Sequence, residues 1–252
     1  SFYARDYAVQ VLRGPRTPFA RMLTARKRLD SVILGEVERR ERAGQPGDDL
    51  LGMLLAARDE GGGRLSREHV RDEVITLLFA GHDTTTSTIA FLLHELARHP
   101  ELQEAAAGSA AELDLAVDET LRLYPPAWVG PRRSIEDFEL CGVRVPGGVP
   151  VNYVSWASHR LPDVWSEPDR FDPQRFAPGR REAIPRGAYV PFGDGSRKCI
   201  GMRFGQAEIA VIARALLERF RFAPVPGHTV SIRQMPTLTP RGGMPLLLAA
   251  RG

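Results

Sequence analysis

A mainly α-helical fold with a small β region is predicted by three features of this 252-residue sequence. A segment from Ser66 to Pro100 contains no helix breaker beyond one glycine, Gly81. Other stretches repeat apolar residues at helical spacing, and from Phe138 the apolar period shortens, with proline and glycine separating short β-rich runs.

After a short irregular start with Pro15 and Pro18, residues Phe19 to Arg42 place Met22, Leu29, Ile33 and Val37 on one face among many arginines, which predicts an amphipathic helix. Gly44 to Asp48 ends it, Asp49 to Arg58 predicts a shorter helix, and Glu60 to Gly63 reads as a turn. Ser66 is placed to cap the dominant helix, and Glu68 puts a negative charge in its first turn, where the helix dipole favours one. The helix should run over 67–99, roughly 50 Å at 1.5 Å per residue, and cross the body of a domain. Ala110 to Leu123 predicts another helix, ended by Pro125 and Pro126, which cannot donate backbone hydrogen bonds.

Phe138 to Val145 and Val149 to Val154 read as two strands of a hairpin turning at Pro146, Gly147 and Gly148. Asp163 to Phe192 is rich in Pro, Asp and Arg. Its Trp165, Phe171, Phe176 and Tyr189 need burial and so predict ordered coil rather than a linker. Met202 to Phe220 is again helical, and Val230 to Ala250 holds short strands. The expected organisation is one domain over 1–252: helical to 128, a β region over 129–155, coil with a glycine-rich loop over 156–201, a helix over 202–220 and C-terminal β structure over 221–252.

Composition narrows the functional classes. With 43% hydrophobic and 26% charged residues, the chain has globular proportions and is not disordered. A net charge of +3 is too small an excess to argue for a nucleic-acid partner. Only Lys27 and Lys198 interrupt an otherwise all-arginine basic set, a bias expected of a G+C-rich, bacterial genome. Two cysteines, Cys141 and Cys199, imply no disulfide framework, and Ser1 to Gln10 is not a signal sequence, so a cytoplasmic location is expected. Val74 to Ala97 is apolar but carries His82, Asp83, His94 and Glu95. A charged group costs roughly 2.5–3.5 kcal/mol at a bilayer centre, so no membrane span is expected.

The chemistry concentrates in residues 192–201, FGDGSRKCIG. Glycines let a backbone approach a flat ligand and adopt positive φ, and a helix N-terminus just after a cysteine favours a thiolate. Arg197, two residues from the sulfur, suits a carboxylate. Phe192, Gly195, Arg197, Cys199 and Gly201 resemble the haem-binding loop of the cytochrome P450 family letter for letter. Chance would supply five such letters about once in 10⁴ chains of this length.

Three further motifs stand in the family's order. Ala80, Gly81, His82, Asp83, Thr84 and Thr85 lie mid-helix, where a threonine hydroxyl can return to the carbonyl four residues back, here Ala80. Glu119 and Arg122, three apart, share a helix face. Asp172 to Phe176 supplies Arg175. The resemblance implies a P450 fold and a haem b held by Cys199 as axial ligand to the iron, with Ala80, Gly81, Phe192, Gly195 and Gly201 beside it and Arg132 and Arg197 on its propionates. Arg133 is an alternative to Arg132.

The same resemblance assigns Asp83 and Thr84 to proton delivery to dioxygen and Glu119, Arg122 and Arg175 to a structural triad. It puts His159 at a recurrent position, for which a packed histidine is an equal reading. Leu78, Phe79, His82, Trp128, Val129 and Leu238 are the expected walls of a pocket for a lipophilic small molecule, with residues 127–130 and 237–239 contributing. The implied activity is monooxygenation by O2. Electrons would come from a ferredoxin or flavodoxin with its NAD(P)H reductase, steered by Arg197, Lys198, Arg203 and Arg214. A peroxide-using or isomerising haem-thiolate enzyme and a haem-free interaction module are the rivals; Asp83–Thr84 argues against the first and the intact Cys199 loop against the second. The resemblance begins about halfway along the family's fold, so a longer native chain is expected.

Overall fold

The structure, a computed structural model, describes residues 14–252, and the Ser1 to Gln10 segment discussed above lies outside the described residues. Two compact units divide it, one ending at Ala80 and the other beginning at Gly81.

In the first unit, helix α1 (Pro18–Ala43) is capped by the Thr17 hydroxyl, which accepts the Ala20 N–H at 3.2 Å, and is closed by Gly44 at φ 63°. Asp49 caps α2 (Leu50–Ala56) through the Gly52 N–H. These helices and the first turns of α3 (Arg67–Arg98) bury Ile33, Val37 and Val70, with Leu51, Leu54, Leu55, Val74 and Ile75 around them. Ser66 caps α3 as its sequence predicts, its Oγ accepting the His69 N–H at 3.2 Å. Helix α3 stays α-helical through Gly81 to Thr85.

The second unit contains the rest of α3 and the main core. One helix there escapes the sequence reading. Pro100 does not simply stop α3 but occupies the first turn of α4 (Pro100–Gly108), where its missing N–H has no cost. Ser109 then both ends α4 and caps α5 (Ala110–Leu123). Helices α3, α4, α5 and α7 (Met202–Arg219) bury Leu92, Leu96, Leu113, Leu121, Ala213 and Leu217 together; each fully buried leucine stabilises by roughly 1.5–3 kcal/mol. A smaller cluster holds Trp165, Phe176 and Ala188, so the coil after residue 160 is ordered by its aromatics as expected.

The β region consists of two-stranded antiparallel ribbons, and its pairing differs from the expected hairpin. Strand β2 (Phe138–Leu140) pairs with β3 (Val143–Val145), not with the later run. The turn is at Cys141 and Gly142, both at positive φ (50° and 77°), the geometry that matches strand twist in two-residue hairpins. Strand β4 (Pro150–Tyr153) instead pairs with β1 (Gly130–Arg133), with Gly130 opposite Tyr153 and Arg132 opposite Val151. Pro146 to Gly148 is the connection between ribbons, held by the Gly148 N–H on the Ser134 carbonyl at 2.9 Å. A short α6 (Ser155–Ser158) follows. At the C-terminus β5 (Phe220–Pro224) pairs with β8 (Leu246–Ala250), and β6 (Ile232–Arg233) pairs with β7 (Thr239–Pro240). Among the described residues no helix is long and apolar enough to cross a membrane.

Candidate functional site

Cys199 is exposed, although free cysteine is among the most buried residue types. The loop that presents it turns through Gly193 (φ 69°) and Gly195 (φ 71°), conformations that side chains rarely adopt, and a single 3₁₀ turn over Gly195–Arg197. The Cys199 N–H donates to the Phe192 carbonyl at 2.9 Å, closing the loop, while the half-buried Phe192 ring packs against the main core. Gly201 then opens α7 without a side-chain cap. Arg197, Lys198 and Arg203 make no side-chain hydrogen bond or ion pair among the described residues, whereas Arg214 pairs with Glu218 at 2.8 Å.

The buried charges behave in the opposite way. Arg122 donates to both Glu119 oxygens, at 2.6 and 2.8 Å, and to the carbonyls of His159, Pro168 and Arg170. Glu119 also accepts Arg175 Nε at 3.3 Å and the Asp172 N–H at 2.9 Å. The triad expected from three separate motif letters is therefore assembled. Burial raises the Glu119 carboxyl above its ordinary range, opposed by the bonds from Arg122.

His159, fully buried, extends this network as a packed histidine. Its Nε2 accepts the Val190 N–H at 2.9 Å, which leaves the proton on Nδ1 to donate to the Arg122 carbonyl at 3.0 Å. Burial lowers its pKa to about 4. Tyr189 and Arg181 close on Asp118 nearby.

On α3, Asp83 is half-buried, and one of its oxygens lies 3.1 Å from Nδ1 of the exposed His82. The Thr84 carbonyl accepts the Thr88 hydroxyl at 2.9 Å. Gly81 is open on its Cβ side. Leu78, Phe79 and Ala80 belong to the first unit and are exposed.

Trp128 and Leu238 are tied to one another's segments, and Leu238 to α3. The Trp128 indole donates to the Gln234 carbonyl at 2.7 Å, the Leu238 N–H donates to the Pro126 carbonyl at 3.0 Å, and the Ser87 hydroxyl donates to the Leu238 carbonyl. Leu238 is buried, and Trp128 and Val129 are half-buried. Thr237 before β7 and Thr239 at its start carry buried hydroxyl oxygens without a partner among the described residues.

Comparison with known proteins gives this arrangement a family. The pattern described as "Cytochrome P450" matches residues 5–107 and 112–246. The chain belongs to the cytochrome P450 family.

Among its P450 relatives, "Cyclooctat-9-en-7-ol 5-monooxygenase" of Streptomyces melanosporofaciens is 38% identical over 82% of this chain and 49% of that protein. "Pentalenene oxygenase" of Streptomyces avermitilis is 35% identical over 81% of this chain and 49% of that protein. The solved structure of "Retinoic acid bound cyanobacterial CYP120A1" superposes with a TM-score of 0.85 at 31% identity, covering 95% of this chain and 59% of that one. The P450 fold is thus present in part: the chain spans about half the length of the curated relatives it matches.

The residues fit the P450 cofactor. A soft sulfur is held exposed on a glycine loop, cationic Arg197 stands two residues away with no protein partner among the described residues, and Gly81 leaves space beside an acid and an alcohol. Arg132 is exposed, its Nη1 bonded among the described residues only to the neighbouring Pro131 carbonyl at 2.9 Å, and its guanidinium lies over the Tyr153 ring. Arg133, the alternative, bonds the Gly148 carbonyl. Sequence reasoning missed Tyr153 and Ser87. For Tyr153 a signal existed: Gly130, on the paired strand, is the kind of small residue that a large side chain needs opposite it.

Proposed function

We propose that this chain is the haem-binding part of a P450 monooxygenase that inserts one oxygen atom from O2 into a lipophilic small molecule. The observation that carries the reading is the exposed Cys199 thiol at the tip of a loop fixed by two left-handed glycines and the Cys199 N–H bond to Phe192. Residues 1–252 act as one haem domain in it.

Cys199 Sγ would hold the iron, Arg132 and Arg197 would hold the propionates, and Phe192, Gly195, Gly201 and Gly81 would leave the backbone room to approach the ring. When bound, haem b supplies the activation of dioxygen and accepts the electrons that this requires. Asp83 and Thr84 hold and pass protons at their carboxylate and hydroxyl oxygens, with His82 hydrogen-bonded to Asp83. His82, Trp128, Val129 and Leu238 would wall the substrate and exclude water. The names of the two Streptomyces relatives, which specify cyclooctat-9-en-7-ol and pentalenene, support a lipophilic substrate. Electrons come from a ferredoxin or flavodoxin with its NAD(P)H reductase, attracted by unpaired Arg197, Lys198 and Arg203. The enzyme works in the cytoplasm.

The test is an absorption spectrum of the dithionite-reduced protein with and without carbon monoxide. A strongly red-shifted Soret band, lost in Cys199→Ala, is expected. A histidine-like band that the substitution leaves unchanged overturns the reading.

A further inference from the structure

The β1–β4 ribbon and the Cys199 loop meet at one side chain that no motif contains. Tyr153 ends β4 opposite Gly130, and its ring lies so close over that glycine that a Cβ there would stand 2.0 Å from Tyr153 Cζ. The far end of the same ring reaches the cysteine loop, where a Cβ on Gly193 would stand 3.0 Å from the Tyr153 hydroxyl. Both neighbours are glycine: the ring fits only because Gly130 has no side chain, and a side chain at Gly193 would crowd the hydroxyl. On a third side, the Arg132 guanidinium carbon lies 5.2 Å from the ring centroid.

We propose that Tyr153 is a positioning residue of the haem seat, a strut that sets the distance between β1 and the Cys199 loop and supports the Arg132 guanidinium from one side. The proposal rests on the haem-thiolate reading above. A guanidinium lying over an aromatic ring keeps its planar N–H edge free, and a bidentate carboxylate needs that edge. Among the described residues Arg132 donates only to the adjacent Pro131 carbonyl, so most of its donors remain for an anion. A ring in this position pre-orients the arginine and so reduces the freedom that would be lost when a propionate binds. Through Gly193 it also fixes the loop that carries Cys199, and one side chain thereby couples two contacts to the same ligand.

The experiment measures the rate at which the ferric holoprotein gives up haem to excess apomyoglobin. Tyr153→Val retains a good strand former but removes the ring, and haem loss is expected to accelerate about three- to fivefold, the size of effect an exposed cation–π support gives. Tyr153→Phe retains ring and packing and is expected to stay within about twofold of the wild-type rate. Arg132→Lys preserves the charge without the flat fork and should also release haem faster. The double variant Tyr153→Val with Arg132→Lys should lose less than the product of the two single effects, because both act at one contact. A wild-type rate in Tyr153→Val, or fully multiplicative effects in the double variant, overturns the proposal. Should Tyr153→Val fail to fold, Arg132→Lys decides, and a wild-type rate there overturns it. A wild-type protein lacking the red-shifted carbon monoxide band overturns the underlying reading and the proposal with it; a protein that has the band but shows unchanged rates in the variants overturns the proposal alone.

Discussion

Arg122 and Arg197 are the same residue type in opposite circumstances. Arg122 is fully buried and spends its donors on Glu119 and three backbone carbonyls, while Arg197, two residues from Cys199, is exposed and has no side-chain partner among the described residues. The same contrast separates His159, which uses both ring nitrogens inside the protein, from His82, exposed on α3. The triad arginine is desolvated and saturated, whereas Arg197, Lys198 and Arg203 by the cysteine loop keep unused bonding capacity among the described residues. Burial makes the first kind expensive to disturb, and exposure makes the second kind cheap to alter for the fold and costly for a ligand.

The largest expected effect comes from Arg122→Ala, which strands Glu119 without its bidentate partner. A loss of about 3–5 kcal/mol of unfolding free energy in urea is expected, and a loss below about 1 kcal/mol would break the comparison. The next concerns pH. His159 has its pKa lowered by burial to about 4, against about 6.5 for an ordinary histidine, so the unfolded chain takes up the proton first. The stability it contributes is complete above pH 6.5 and is lost as pH falls toward 4, by roughly 3 kcal/mol at 1.36 kcal/mol per unit. Urea midpoints of the wild type and His159→Asn at pH 7 and pH 4.5 check this: the variant should show a shallower decline than the wild type. The smallest effect belongs to Arg197→Gln, expected to alter the unfolding free energy of the haem-free chain by less than about 0.5 kcal/mol. A larger change would mean that Arg197 holds the fold as Arg122 does.

Much of the helical frame is legible in the chain because local chemistry marks its ends. Ser66 was readable as a cap and Gly44 as a stop, and Thr17, Asp49 and Ser109, not read as caps, use a side-chain oxygen in the same way. The hairpin was misplaced because Pro146, Gly147 and Gly148 look like a stronger turn than Cys141 and Gly142; the choice was made by the Gly148 bond to Ser134 and by the pairing of β4 with β1, seventeen or more residues away. Helix α4 was missed because Pro100 reads equally as a stop or as a first-turn residue, and only packing of Gln103 against Leu96 and Phe222 selects the second. The Glu119, Arg122 and Arg175 letters were readable, but the His159, Pro168 and Arg170 carbonyls that complete the network carry no side-chain signature.

By itself the sequence determined the mainly helical class, the caps, and the glycine loop that exposes Cys199, because these depend on backbone preferences and neighbours within a few residues. Tertiary structure alone decided which strands pair, that His159 bridges Arg122 and Val190, that Leu238 docks on Pro126 and Ser87, and that Tyr153 lies between Gly130 and Gly193. Those contacts join residues tens to more than a hundred positions apart. Their free energy comes from burial and saturated hydrogen bonds that exist only once the chain has closed, so no local pattern can announce them.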